Sequence, residues 1–346
     1  MFEFFIRAKN RNSLAHLDVP VEIYVMGAAD EPPVFEHSLY RFSILEDSAV
    51  STVVGTVSAQ SNGSIAYRFV SSSDLHDDFA VNSSGDIVTM RPLDREAHEM
   101  YELVLRAETR ASPPLVAHTR LLIHVGDTND NAPQFETDQY VAVIAEGSSP
   151  GTHVIQVAAE DGDLGLNGEF YYVMTNESVH SMFVCDSATG SISVMGQLDR
   201  ESVAEYRLSV SAIDRGVPRM TSMTEVVVTV SDENDNAPVF LQSSYSGAVN
   251  EDALPGTIIL VVMATDADIV PNNVVTYHIA GGDVLGQFGV RTSGEIYVNK
   301  LLDREEEAHY QLTLLATDGA YVATATVTIN ILDANDNAPM CEQVSD

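Results

Sequence analysis

Between Gln139 and Ser231 the chain reads as seven short apolar runs, QYVAVIAE, HVIQVAAE, EFYYVMT, MFVCD, SISVMG, EYRLSVSAI and MTEVVVTVS, parted by Gly, Asp, Asn and Ser. β-Branched and aromatic residues dominate them, as pleated, half-buried strands require. In EYRLSVSAI, Tyr206, Leu208, Val210 and Ala212 share one parity, and Arg207, Ser209 and Ser211 the other. A two-residue period turns the first set toward a core and the second toward water. Seven such strands in about 100 residues predict a β-sandwich. Gly85, Gly190 and Gly294, in SSG, SATG and TSG, fall where a tight hairpin needs positive φ.

The pattern recurs along the chain. DTNDNAPQF from Asp127, DENDNAPVF from Asp232 and DANDNAPMC from Asp333 are spaced by 105 and 101 residues, and a degraded copy, GAADEPPVF, begins at Gly27, 100 before the first. LDRE recurs at Leu93, Leu198 and Leu302, and a glutamate stands ten to twelve residues beyond each Phe, at Glu46, Glu146 and Glu251. Independent markers with one period predict tandem domains. The whole units are 34–134, 135–239 and 240–339; residues 1–33 supply the last two strands of an earlier unit, and 340–346 the start of a further one. A half sandwich cannot bury its own core, so the first residues are expected to be poorly stabilised.

Composition narrows the partners. The chain carries 51 acidic against 17 basic residues, a formal charge of −34, which argues against nucleic acid or an anionic membrane surface. The longest apolar run, Ile258 to Ala264, is far short of a membrane span, and Glu3 and Arg7 interrupt any apolar core in MFEFFIRAKN. An extracellular address would therefore require a signal and an anchor outside this sequence. Cys185 and Cys341, 156 residues apart, make no disulfide framework, and Cys185 in FVCDS reads as a buried strand residue. The ten histidines are scattered without metal-ligand spacing.

The acids gather at unit boundaries. Around residue 130 the first unit offers Glu46, Asp94 and Glu96, the linker Asp127, Asn129, Asp130 and Asn131, and the second unit Asp161, Asp163, Asn167 and Asp214. Eight of these are carboxylates, which repel strongly unless cations sit among them. Oxygen ligands without His or Cys select a hard cation, and a large, irregular carboxylate set favours Ca²⁺ over Mg²⁺; about three Ca²⁺ per complete junction would nearly balance the charge. DGDLGLNGE is not an EF-hand loop, because Gly165 and Leu166 stand where that pattern wants a ligand and a glycine, and its flanks are strands.

LDRE, DxNDNAPxF and DxDxGxN, ordered and in register at a period near 100, resemble the extracellular cadherin repeat, and the resemblance covers essentially the whole chain. It implies an all-β fold of tandem seven-stranded Greek-key β-sandwiches joined end to end. It also implies a complete Ca²⁺ junction near 235, from Glu146, Asp199 and Glu201 below, Asp232, Asn234, Asp235 and Asn236 in the linker, and Asp266, Asp268, Asn272 and Asp318 above. Val270 stands where DxDxG has glycine. Thr128 and Glu233, and Asn131 and Asn236 with Asn167 and Asn272, are implied to lend backbone oxygens. At the last boundary Glu251, Asp303, Glu305, Asp333, Asn335, Asp336 and Asn337 form half a set, expected to bind weakly.

The function so implied is calcium-dependent cell–cell adhesion by a rod-like, non-enzymatic ectodomain. Its partners would be other cadherin ectodomains, homophilic or heterophilic, in cis or in trans. Its place would be the extracellular face of the plasma membrane, at cell junctions, in a single-pass membrane protein. The absence of tryptophan excludes the Trp-anchored adhesive tip of type-I cadherins, and ALPGTIILVVMATDAD and APMCEQ resemble the giant Fat-like cadherins, with Dachsous and the hair-cell tip-link cadherins as alternatives. Sequons at Asn62, Asn82 and Asn176 agree with a secreted glycoprotein. Acid pairs could serve a glycosidase or metal hydrolase, but the boundary sets use every such acid and no nucleophile with a base accompanies them. An Ig-like extracellular binding array with incidental calcium is the competing reading.

The degraded copy has counterparts. Gly27, Ala29 and Glu31 replace linker ligands and leave only Asp30 in register. The loop from Ala59 to Asn62 is five residues shorter than Ala159 to Asn167 and lacks DxD, and Thr109 takes the place of Asp214 and Asp318. Three losses serving one boundary predict a junction near 33 with few or no Ca²⁺ ions, bent or flexible, with its angle set by Pro32, Pro33 and direct contacts. A glycan on Asn62 would sit where calcium otherwise would.

Overall fold

In a computed structural model of the chain, residues 2–9, 16–23, 31–70, 77–111 and 113–337 are described. Their regular secondary structure is strand apart from one short 3₁₀ turn at Glu177–Val179. The chain forms two compact units: residues 1–134 with 159–170 and 213–222, and residues 135–158 with 171–212 and 223–346.

In the first unit a four-stranded sheet runs in the order Leu39–Leu45, Val116–Gly126, Met100–Thr109, Ile65–Phe69, beside a three-stranded sheet of Val53–Thr56, Asp86–Thr89 and Phe79–Val81. The first strand runs parallel to the last, Leu39 beside Arg120 through Leu45 beside Gly126, and the other pairs are antiparallel. Leu103, Leu105, Leu121, Ile123, Val125 and Ile87 are buried between the sheets. Residues 1–33 contribute an antiparallel hairpin, Phe2–Lys9 against His16–Ile23.

The second unit holds the same order in Ser244–Asn250, Val322–Leu332, His309–Thr317 and Thr276–Gly281, with Ile258–Val261, Glu295–Val298 and Phe288–Val290 as the smaller sheet. Leu312, Leu314, Val327, Ile329, Ile296 and Val262 form its core. Each such aliphatic side chain contributes about 1.5–3 kcal/mol on leaving water. The middle repeat has the sheets Gln139–Ala145, Thr221–Ser231, Glu205–Asp214, Phe170–Met174 and His153–Gln156, Ser191–Val194, Phe183–Cys185.

The seven runs of the middle repeat are strands, with one division. HVIQVAAE, expected as one strand, is two, His153–Gln156 and Ala159–Glu160, because the intervening polar groups have other partners. The Val157 N–H donates to Gly190 O at 3.0 Å, while the Tyr140 hydroxyl accepts from Ala158 N–H and donates to Ala158 O at 3.2 and 3.0 Å. Along Glu205–Asp214 the expected parity buries Leu208, Val210 and Ala212 and delivers Asp214, wholly buried, at the strand's end. Ser211, expected to face water, is buried as well. Nothing in the structure explains that.

Gly85, Gly190 and Gly294 have φ of +89°, +73° and +77°. A Cβ on Gly190 would also lie 2.5 Å from Val157 O. Gly190→Ala is therefore expected to lower stability by about 1–3 kcal/mol through backbone strain and displacement of the Val157 carbonyl. Urea unfolding measures this, and an unchanged midpoint would contradict the assignment.

Candidate metal centres

The boundaries near 130, 235 and 339 each begin with a buried glutamate. The strand Leu39–Leu45 ends at Glu46, which is 3% exposed; Oε2 accepts the Arg95 N–H at 2.7 Å, and Oε1 the Thr128 N–H at 2.8 Å. Glu146 accepts from Arg200 and Glu233, both at 2.7 Å, and Glu251 from Arg304 at 2.8 Å and Ala334 at 2.6 Å. A buried carboxylate persists only where such bonds replace water. These glutamates thus tie the LDRE turn to the linker, which is why three markers far apart in sequence share one period. For Glu251 the Ala334 bond, then the Arg304 bond, holds the carboxyl below its ordinary range.

Around these ties the acids converge. Carboxylate oxygens of Glu46, Asp94 and Glu96 lie within 4.8 Å of one another, as do those of Glu96, Asp130 and Asp163. Near 235 the groups are Glu146, Glu201, Asp235 and Glu201, Asp232, Asp268; at the last boundary, Glu251, Glu305, Asp336. Asn131 Nδ2 donates to Asp130 and Asp163 at 2.8 and 2.9 Å, and Asn236 Nδ2 to Asp235 and Asp268 at 2.7 and 2.8 Å. Asp127 accepts from Leu164 N–H and Asn167, and Asp232 from Ile269 N–H and Asn272. Asp161 and Asp266 each accept the N–H two residues on, the usual closure of an Asx turn.

The outer members are differently placed. Asp214 accepts from Gly216 N–H, Met220 N–H and Asn129 Nδ2 at 3.0, 2.7 and 3.2 Å. Asp318 is held below its ordinary pKa, first by the Tyr321 N–H, and its partners include Asn234. Asp199 is lowered by the Ser202 hydroxyl and N–H, while Asp94 and Asp303 accept from Ala97 and Glu306. The Thr128 carbonyl accepts the Asp130 N–H at 3.0 Å. Asp333 meets Arg304 rather than the group that Asp336 joins. Asn337 donates to Glu305 at 2.9 Å.

The donor set fits a hard cation. Asp161, Asp266, Asp268 and Asp318 each bury one Oδ2, and Asn129 and Asn234 each bury Oδ1, without a hydrogen-bond partner. All six are oxygens, and buried oxygens left unpaired are costly unless an ion takes them. Burial, then neighbouring carboxylates, raises Asp130, Asp161 and Glu96 near 130, and Asp235, Glu201 and Asp266 near 235. A raised carboxylate pKa means that the assembled site takes up protons as pH falls, so protons and a cation compete. Calcium affinity is therefore expected to drop as pH goes from 7 toward 5, with proton release on binding; calorimetry in buffers of different ionisation enthalpy checks it. Affinity independent of pH would contradict it.

The boundary near 33 differs. Gly27, Ala29 and Asp30, and Cys341 with the tail, lie outside the described residues. Pro32 is exposed and Pro33 buried. Ala59–Gln60 passes into a tight turn, and Thr109 binds the Leu115 main chain at 2.9 and 3.0 Å where Asp214 would present a carboxylate. A cavity of about 340 Å³ opens there, and among the described residues its charged lining is Glu31 and Arg110. Of the sequons, Asn62 and Asn82 are exposed, while Asn176 is half-buried and donates to Arg207 O. Cys185 is half-buried, and burial, then Asp186, pushes its thiol up to about 11, which leaves it inert.

A family profile described as "Cadherin domain" matches residues 40–126, 140–231 and 245–332. The Drosophila melanogaster "Fat-like cadherin-related tumor suppressor homolog" is 36% identical over 345 residues, 98% of this chain and 7% of that protein. Homo sapiens "Protocadherin Fat 1" is 36% identical over 334 residues, 93% and 7% respectively. The chain thus spans less than a tenth of these relatives. The crystal structure of mouse Cadherin-23 EC22-24 superposes with a TM-score of 0.74 at 28% identity, covering 88% of this chain and all of that one.

Proposed function

Since this chain belongs to the cadherin family and carries three of its ectodomain repeats, non-enzymatic modules of the kind involved in cell adhesion, we propose that it is a calcium-stiffened stretch of a Fat-like adhesive ectodomain. The units are 34–134, 135–239 and 240–339, after the end of an earlier repeat. Calcium at the boundaries near 130 and 235 supplies positive charge that carboxylates from both sides of a boundary share. The residues do the rest: Glu46 and Glu146 fix the LDRE turn to the linker, and Asn131 and Asn236 hold Asp163 and Asp268 beside Asp130 and Asp235. Where calcium is withheld, like charges push neighbouring repeats apart and the linker becomes a hinge.

The observation that carries this reading is the set of buried, unpartnered oxygens at both boundaries. The boundary near 33 has no comparable described set, and we read it as calcium-poor and bent or flexible; the half set at Glu251, Glu305 and Asp336 binds weakly. The partners are other cadherin ectodomains, homophilic or heterophilic, in cis or trans. The chain belongs outside the plasma membrane at cell contacts, anchored by a single span elsewhere in its protein, with glycans on Asn62, Asn82 or Asn176.

Calcium counting by equilibrium dialysis and metal analysis tests the assignment. About six ions per chain are expected at saturation of the two complete junctions, three at each, in the affinity range of extracellular modules near 10⁻⁴ to 10⁻³ M. A count near zero would overturn the calcium assignment.

A further inference from the structure

The arginine side chain inside each LDRE motif plays no part in the function above, yet all three meet the glutamate that follows and the first linker aspartate. Arg95 pairs with Glu96 and, through Nε, with Asp127 at 2.6 Å. Arg200 pairs with Glu201, and its Nε donates to Asp232 at 2.5 Å. Arg304 reaches Glu305 at 3.4 Å and Asp333 at 3.0 Å. At the two complete sets the guanidinium also donates to a main-chain carbonyl of the following D-x-D loop, Gly162 O at 2.6 Å and Ala267 O at 3.2 Å. The Arg95 and Arg200 side chains are 8% and 12% exposed, whereas Arg304, whose set has no such loop among the described residues, is 41% exposed.

The anions involved are those of the metal centres. Glu96 belongs to both convergent groups near 130, Glu201 to both near 235, and Asp232 to one of the latter. A carboxylate oxygen engaged by a guanidinium offers a metal one lone pair fewer, and a divalent ion in the same group would lie a few ångströms from a fixed positive charge. Burial alone would lower the Arg95 pKa, yet Asp127, Glu96 and Glu46 hold it above its ordinary value, a measure of the field at that point.

We propose that Arg95 and Arg200 are built-in cations that compete with Ca²⁺ for Glu96 and Asp127, and for Glu201 and Asp232. At low calcium they occupy oxygens of the LDRE glutamate and the first linker aspartate on their own side of the boundary. At higher calcium they yield those oxygens, so they set the concentration at which the junction stiffens. The half set around Arg304 carries the weakest form of this competition, its guanidinium being half in water. This inference rests on the calcium assignment of the two junctions.

Calcium titration calorimetry on the whole chain, unmodified and as Arg95→Gln and Arg200→Gln, tests it. Glutamine keeps the backbone N–H that Glu46 or Glu146 accepts and removes the charge. Binding at the altered junction is expected to shift to about tenfold lower calcium, with Arg→Lys shifting far less because it retains the cation. Unchanged or weaker binding in the glutamine variants would overturn the proposal, since an arginine that merely orients ligands must weaken binding when lost. No uptake by the unmodified chain would instead remove the calcium assignment itself. Should the glutamine variants misfold, the unmodified chain still decides by NMR: the protected guanidinium N–H signals of Arg95 and Arg200 are expected to lose protection as calcium is added. Signals that stay protected at calcium saturation would overturn the competition.

Discussion

Replacing Glu146 with alanine is expected to destabilise the middle repeat by about 2–5 kcal/mol in chelator, and by more in calcium. The side chain is 2% exposed and holds the N–H groups of Arg200 and Glu233, both at 2.7 Å. Alanine leaves two part-buried donors unpaired, at about 1–3 kcal/mol each, and the relief of removing a buried charge offsets only part of that. Glu251 makes the same two bonds, at 2.8 and 2.6 Å, at a boundary that carries half a ligand set. Glu251→Ala should therefore cost a similar amount in chelator but gain little further dependence on calcium. Urea unfolding of both variants, with calcium and with EGTA, separates the tie from the ligand role. A Glu146 variant as stable as the parent in chelator would mean that these bonds are not what joins the LDRE turn to the linker.

Withdrawing calcium is expected to have the largest effect of all. Near 130, burial and the charges of Glu46, Asp163, Asp94 and Asp127 already raise Asp130, which is the signature of carboxylates pressed together. With chelator the cheapest relief is separation, since repulsion falls with distance while the repeat cores stay intact. Cleavage within 127–131 and 232–236 by a broad-specificity protease should accelerate about tenfold or more in EGTA, because cleavage follows local opening rather than global unfolding. Sodium chloride near 0.15 M should not substitute, since a Debye length of about 8 Å barely screens groups in direct contact. Asp268→Asn, at a residue 2% exposed with one buried oxygen unpartnered, should raise the calcium needed for protection about tenfold to a hundredfold at 235 and leave 130 unaffected.

The fold was legible because its signal is local. Parity alone placed Leu208, Val210 and Ala212 inside, and turn chemistry alone placed Gly85, Gly190 and Gly294 at positive φ. The break in HVIQVAAE was not legible, since it depends on the Tyr140 hydroxyl reaching Ala158 from 18 residues away. The acids could be grouped because the period repeats them, but their bonding could not be read from it. That Asn131 bridges Asp130 to Asp163, or that Asn129 meets Asp214 across 85 positions, follows only from the folded loops. The arginine of LDRE stood in plain sight between two ligands, yet spacing says nothing about which way a flexible cation turns.

Calcium-controlled stiffness at the boundaries near 130 and 235 is open to small-angle X-ray scattering from the whole chain. At about 1 mM calcium, within the range of extracellular modules, a longer maximum dimension and a narrower distribution of sizes than in EGTA are expected, reversed when calcium is withdrawn again. Identical scattering in calcium and in EGTA would contradict it, and would leave an array of sandwiches in which calcium is incidental.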